Sequence, residues 1–176
     1  MVRLILTLFL SVLILIVPQA VLAQKVTTSP SPSVMPSPVV MNSNELFWPL
    51  AAGKTIDDPL YFLKTFKENL RGWLIFGNAQ KAEYAVFLGT KRVLEAEKLL
   101  KEDKKEVANR TFDKALEQFE IAQKNVEEAS NKKMLSKGSV DTMKPRLNNL
   151  VNFLPTLDFD KANEVLQKVK ELNSKI

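Results

Sequence analysis

The 176-residue sequence contains neither cysteine nor histidine. Without cysteine there is no disulfide framework, no thiolate nucleophile, no thiolate metal site and no residue to carry an N-terminal lipid. Without histidine the commonest general base and the commonest transition-metal ligand are both missing. A Ser-His-Asp triad, a zinc hydrolase site and a Cys-His pair are therefore excluded within this chain. Glycine is scarce too, at five residues. The one Gly-Lys-Thr string, Gly53-Lys54-Thr55, has Trp48 where a phosphate-binding loop needs its earlier glycine, and no strand precedes it. No strong excess of one charge exists either. Twenty-five basic and twenty acidic residues are interspersed along the chain, which implies no polyanion-binding field and no nucleic-acid partner.

What is present begins with an address. Residues 1–23 carry Arg3, an apolar run from Leu4 to Val17, Pro18, and a Val21-Leu22-Ala23 ending. A positive start, a short apolar core and small residues before Gln24 predict a signal peptide cleaved after Ala23. The competing reading is an uncleaved membrane anchor over residues 4–23, about 20 residues and enough to cross a bilayer. Positive charge stays inside, so both readings put the rest of the chain outside the cytoplasm, secreted or membrane-anchored.

Residues 24–45 are rich in Ser, Thr and Pro, with repeated Ser-Pro pairs. Proline removes donors and favours extended backbone, so this stretch is expected to be a disordered tether. Order is expected from Leu46, making residues 46–176 the folded domain. The apolar segment Leu46-Phe47-Trp48-Pro49-Leu50 is expected to act as a strap docked on the first helix; the alternative is an exposed aromatic patch.

From Thr55 onward no stretch alternates with period two, and helical periodicity takes over. The first helix is expected from Asp58-Pro59, an N-cap carboxylate followed by proline, with Leu63, Phe66, Leu70 and Trp73 as its apolar stripe. Gly77 is expected to close it and Asn78 to cap the next. The second helix, about 79–101, places Ala82, Val86, Gly89, Val93, Ala96 and Leu100 on one side. The third follows a capping box of Asp103 and Glu106 and carries Ala108, Phe112, Ala115, Phe119, Ala122, Val126 and Ala129. Both stripes alternate spacings of four and three, the 3.5-residue period of coiled-coil packing. The short turn between them predicts a long antiparallel hairpin, with Phe119 against Val86 and Gly89. A fourth helix is expected over Thr142–Leu154 with Pro145 in its first turn, and a fifth capped by Asp158. The expected fold is all-α, about five helices built on that hairpin.

Candidate chemistry is sparse. Asp158-Phe159-Asp160 lacks the further ligands of a calcium loop: Ala162, Asn163 and Val169 stand at the diagnostic places. Asp57-Asp58 suits a helix start better than acid-base work. Arg92 and Glu95 lie at the edge of the second-helix stripe and are expected to be a partly buried structural pair, while Glu97 and Lys101 form a surface pair. Lys98, Lys101, Lys104 and Lys105 cluster at the hairpin tip among acids, and Asn109-Arg110-Thr111 matches a glycosylation sequon inside a helix. No catalytic, cofactor-binding or metal-ligating residue is assigned, and no cofactor is expected.

Over Phe47 to about Ala129 the chain resembles an uncharacterised family of bacterial extracytoplasmic helical domains. The residues that carry the likeness are Pro49-Leu50, Pro59-Leu60-Tyr61-Phe62-Leu63-Lys64 with Glu68, Lys81-Ala82-Glu83, and Arg92-Val93-Leu94-Glu95-Ala96-Glu97. Members have a signal or anchor, a Pro-Leu-Tyr-x-Leu-Lys helix and an Ala/Glu-rich helix. The resemblance implies a domain of unknown function without established active residues. The sequence is therefore read as a non-enzymatic interaction module at the cell envelope, its partner an envelope protein or component. The alternative is a module for an amphipathic ligand or membrane surface, using the aromatic cluster Phe47, Trp48, Tyr61, Phe62, Phe66, Trp73 and Phe76. An enzyme working with carboxylates alone would need two acids facing each other across a cleft.

Overall fold

The computed structural model describes residues 41–176. The expected signal or anchor at 1–23, and residues 24–40 of the expected tether, lie outside the described residues. The described elements are α1 Ser43–Leu46, α2 Tyr61–Trp73, α3 Asn78–Lys101, α4 Lys105–Asn131, α5 Lys137–Phe153, a 3-10 turn at Leu154–Leu157 and α6 Asp160–Ser174. Among the described residues there is no strand, and six helices make the domain all-α as expected.

The hairpin of α3 and α4 is the backbone of the fold. Ala82, Val86, Gly89, Val93 and Ala96 on α3 are buried, as is the whole predicted stripe of α4 from Ala108 to Ala129. Phe112 and Phe119 lose all solvent contact. Each contributes roughly 1.5–3 kcal/mol by burial. A Cβ built on Gly89 would stand 2.8 Å from Cε1 and Cζ of Phe119, so the ring fills the space that only a glycine leaves open there. The remaining core comes from α5 and α6, whose Met143, Leu147, Leu150, Val165, Val169 and Leu172 close over the hairpin. Phe112 also stacks on Phe159 at 5.7 Å between ring centroids.

Several local expectations are corrected. Order is present before Leu46: Asn42 caps a short α1, accepting from the Asn44 N–H at 3.0 Å. The strap does not dock on the following helix. Phe47 is buried edge-on against Phe153 of α5, and Asn149 Nδ2 donates to the Leu46 carbonyl at 2.8 Å, while Trp48 points to solvent. The helix expected from Asp58-Pro59 starts two residues later, because Asp58 spends its carboxylate on the Leu60 N–H of the preceding turn. Gly77, with φ of 97°, occupies the N-cap of α3, and Asn78 is its first helical residue. The Asp103–Glu106 capping box does not form. Asp103 takes a left-handed φ of 57° to reverse the chain, and Lys104 is the N-cap. Asp158 likewise adopts a left-handed turn, so Phe159 precedes α6. In α5 the helix begins at Lys137 because the Ser136 hydroxyl accepts from the Ser139 N–H, which puts Pro145 in the interior. The carbonyl that proline leaves unpaired belongs to Asp141, which is exposed and can bond water.

The hairpin register makes a direct prediction. Gly89→Leu forces a side chain into the Phe119 ring and is expected to destabilise by roughly 1–3 kcal/mol through overpacking. Combining it with Phe119→Ala should recover part of the loss. Thermal unfolding followed by far-UV circular dichroism measures both, and an unchanged melting temperature for Gly89→Leu would remove this register.

Candidate interaction face

Helix α2 has two faces, and their placement inverts the usual arrangement of an amphipathic helix. Tyr61, Lys64 and Glu68 recur at spacings of three and four and point at α3. There they meet Lys91, Arg92 and Glu95, also one to four residues apart on a single helical face. Arg92 Nη1 donates to both Glu95 oxygens, at 3.1 and 2.8 Å, and Nη2 bonds Glu68 Oε2. Lys91 Nζ reaches Glu68 Oε1 at 2.7 Å. Lys64 pairs with Glu95 Oε1 and donates to the Lys54 carbonyl at 2.7 Å. Three cations thus surround two carboxylates. The Tyr61 ring lies 5.0 Å from Lys64 Nζ and 5.5 Å from Arg92 Cζ, so its face adds a further site of negative potential.

This network is deep. Arg92 is 5% exposed and Glu95 fully buried. Burial pushes the Glu68 carboxyl up, but the Lys91 hydrogen bond and the Arg92 charge win, and it sits below the ordinary value. Arg92 is raised: burial pulls its pKa down, and Glu95 and Glu68 more than offset this. Burial lowers Lys64 in spite of Glu95, and burial raises the Tyr61 hydroxyl. Tyr84 adds a neutral tie, its hydroxyl donating to the Glu68 carbonyl at 3.0 Å.

With its charged side turned inward, α2 presents the opposite side to water. Phe62, Leu63, Phe66, Leu70, Trp73 and Leu74 are all exposed, Phe66 by 67% and Trp73 by 78%. The expected inner stripe Leu63, Phe66, Leu70 and Trp73 is therefore the outer one. The correction has a plain cause. Either face of this helix is regular enough to pack, and the ions on α3 can be neutralised only by the face that carries Lys64 and Glu68. Trp48 and Phe76 are exposed as well. Of the aromatic cluster read from the sequence, Phe47 is core, Tyr61 belongs to the ion network, and the other five rings are exposed.

The remaining candidates fall where structural roles explain them. Arg92 and Glu95 are the buried pair expected. Asp57 pairs with Lys104 Nζ at 2.8 Å, and that hydrogen bond, joined by one from Thr55, holds its carboxyl at about 2; Lys104 is raised in turn. Asp58 pairs with Lys54 at 3.0 Å. At the hairpin tip Lys101 pairs with Glu97 and Lys98 with Glu102. Thr111 of the sequon is buried, its hydroxyl donating to the Val107 carbonyl at 2.8 Å. Among the described residues no three acidic side chains converge into a metal-binding group, and no helix is long and apolar enough to cross a membrane.

Residues 53–149 match the family described as Domain of unknown function (DUF5667), and the chain belongs to that family. The match covers α2 to α4, most of α5 and the whole ion network. It spans most of the segment from Phe47 to Ala129 that carries the family resemblance. No curated protein and no solved structure matches the chain. Tyr61, Lys64, Glu68, Arg92 and Glu95, all in segments that carried that resemblance, are the residues the fold brings together.

Two expectations test how α2 is held. Arg92→Met leaves Glu68 with Lys91 alone and Glu95 with Lys64 alone and should cost about 1–3 kcal/mol in a chemical-denaturation measurement, whereas Phe66→Ser should stay within about 0.5 kcal/mol. Equal effects would mean that the ions do not hold the helix. The second concerns pH. Because the folded-state pKa of Glu68 is depressed, its contribution is complete above the ordinary value of 4.5 and is lost as pH falls through the lower folded value. Spin labels on Lys67→Cys and Lys98→Cys should therefore show a broadened α2–α3 distance on acidification, before a pair on α3 and α4 (Lys98→Cys, Asn109→Cys) changes.

Proposed function

We propose that the chain is a non-enzymatic interaction module, carried outside the cytoplasm by its N-terminal segment and held there on its Ser/Pro-rich spacer, with the outward side of α2 as its contact face. One observation supports this above all. The helix buries ions and exposes aromatics, so a large apolar surface is held toward solvent by a rigid ionic mount. Exposed apolar patches of this kind mark interaction sites far more often than accidents of packing. A catalytic reading has little to work with: the sequence has no histidine or cysteine, and the three buried carboxylates among the described residues, Glu68, Glu95 and Glu97, are all tied to cations. The occupant is an envelope protein or component. Its second form, an amphipathic ligand or membrane surface, is favoured by the aromatic make-up of the patch, because Trp and Phe suit a boundary between water and apolar material.

Oxidative footprinting of the full chain compares it in intact cells with the purified protein. Phe62, Phe66 and Trp73 should be protected in cells, while Met134, 61% exposed in the loop after α4, should be modified equally in both settings. Equal modification of the α2 rings in both settings would count against the contact face.

A further inference from the structure

Beside α2 the fold forms a groove of about 450 Å³ between the end of that helix, the first half of α3 and α5. Two guanidinium groups reach into it from different helices. Arg71 of α2 lies over the Tyr84 ring at 5.5 Å, and Arg146 of α5 lies over the Phe87 ring at 5.5 Å. The two rings are themselves stacked, 6.0 Å apart and 12° from parallel. Each arginine thus lies over one ring of a stacked pair, and all four side chains line the groove. Among the described residues neither arginine has an acidic partner. Arg146 is half-buried, and desolvation alone disturbs it, lowering its pKa. A desolvated guanidinium is costly without an anion, and a fork of N–H donors matches phosphoryl oxygens two at a time.

The surroundings say what else the anion carries. Phe76, 83% exposed, stands at the groove, and Trp73 and Leu74 continue from it onto the apolar side of α2. Glu83 is the one acid in the lining, and it bonds neither arginine. On α2 itself the exposed charges are Lys67 and Arg71, both positive, since the helix's single acid, Glu68, is buried. A second copy of the chain placed on this face would set those cations against their own kind. A surface that is negative at its boundary and apolar behind it answers both features. We propose that the groove between α2 and α5 binds a phosphoryl group presented by an anionic lipid headgroup, with the outward rings of α2 resting in the boundary of the same lipid layer. This rests on α2 being the contact face and names what that face meets.

The test uses the full chain. Its apolar residues 4–23 can bring it to vesicles by themselves, so association is not the readout; contact of Trp73 with lipid is. Trp48→Phe leaves Trp73 as the only tryptophan. Vesicles of phosphatidylcholine with and without phosphatidylglycerol carry brominated acyl chains. On the phosphatidylglycerol vesicles bromine should quench Trp73 severalfold and aqueous iodide should lose access to it. Arg71→Gln with Arg146→Gln should lose most of that quenching at an unchanged melting temperature, Arg146→Lys should retain an intermediate part, and Glu83→Gln should deepen it. Quenching that is equal in wild type and the double variant overturns the arginine site. Trp73 that stays open to iodide on every vesicle overturns the lipid assignment. Inorganic phosphate supplies the other arm. If phosphate alone shifts the Tyr84 ring resonances of the wild type but not of the double variant, while vesicles leave Trp73 untouched, the phosphoryl site stands and its lipid source falls. Failure of the contact face itself is separate and shows as unprotected α2 rings in the cellular footprint.

Discussion

The orientation of α2 depends on one buried cluster: Glu68, Arg92 and Glu95, closed over by Lys64, Lys91 and the Tyr61 ring. Arg92 and Glu95 sit on α3, which the hairpin with α4 fixes in place, so their charges are present whether or not α2 is docked. Left open, they would need water. Covered by an apolar helix face, they would be desolvated without a partner, which costs far more than apolar burial returns. The only face of α2 that can cover them is the one carrying Lys64 and Glu68. Everything on the other side, from Phe62 to Leu74, is then committed to the outside.

The two halves of the domain follow different physics. In the hairpin, aromatic knobs on α4 enter positions of small residues on α3, and at Gly89 the Phe119 ring leaves no room for a Cβ. That seam has no polar requirement, and it is symmetric enough in period to be read directly from spacing. The α2 seam is held at the distance of long side chains, with the Tyr84 hydroxyl and the Lys54 carbonyl as its neutral supports. It answers to pH through Glu68, to which the hairpin core is indifferent.

This difference explains which parts of the protein were legible in its sequence. The stripes Ala82 to Ala96 and Ala108 to Ala129 announce a hairpin because a 3.5-residue period is present on both helices and their sizes are complementary. The five longer helices were all legible, whereas the four-residue α1, expected as tether, was not. Helix starts were less so: Asp103 and Asp158 look like caps but take left-handed turns, and Ser136 captures the start of α5 ahead of Pro145. The facing of α2 was not legible from periodicity, because period shows that a helix has two faces without saying which one turns inward. The signal lay in the partner. Arg92 and Glu95 within an otherwise small and apolar side of α3 require a matching charged face, and Lys64 with Glu68 was the only one nearby in the chain. The groove was not legible at all, since Arg71, Tyr84, Phe87 and Arg146 come from three helices and share no spacing.

An ionic seam is a poor choice if stability is the only aim. Replacing a buried set of charges by well-packed apolar residues of the same volume is commonly neutral or stabilising. Here, however, an apolar seam would create a degeneracy. Helix α2 already owns a full apolar side, so an apolar surface on α3 would accept that side and turn the charges outward, producing an ordinary globular helix with nothing to offer a partner. Charges on α3 remove that alternative, because the aromatic side of α2 can neither neutralise Glu95 nor bond Arg92. The same ions that gain little in net stability therefore separate two orientations that apolar packing alone would leave close in energy. They keep Phe66 and Trp73 in water, and they leave Arg71 lining the same groove as Arg146, two cations that no acid among the described residues pairs.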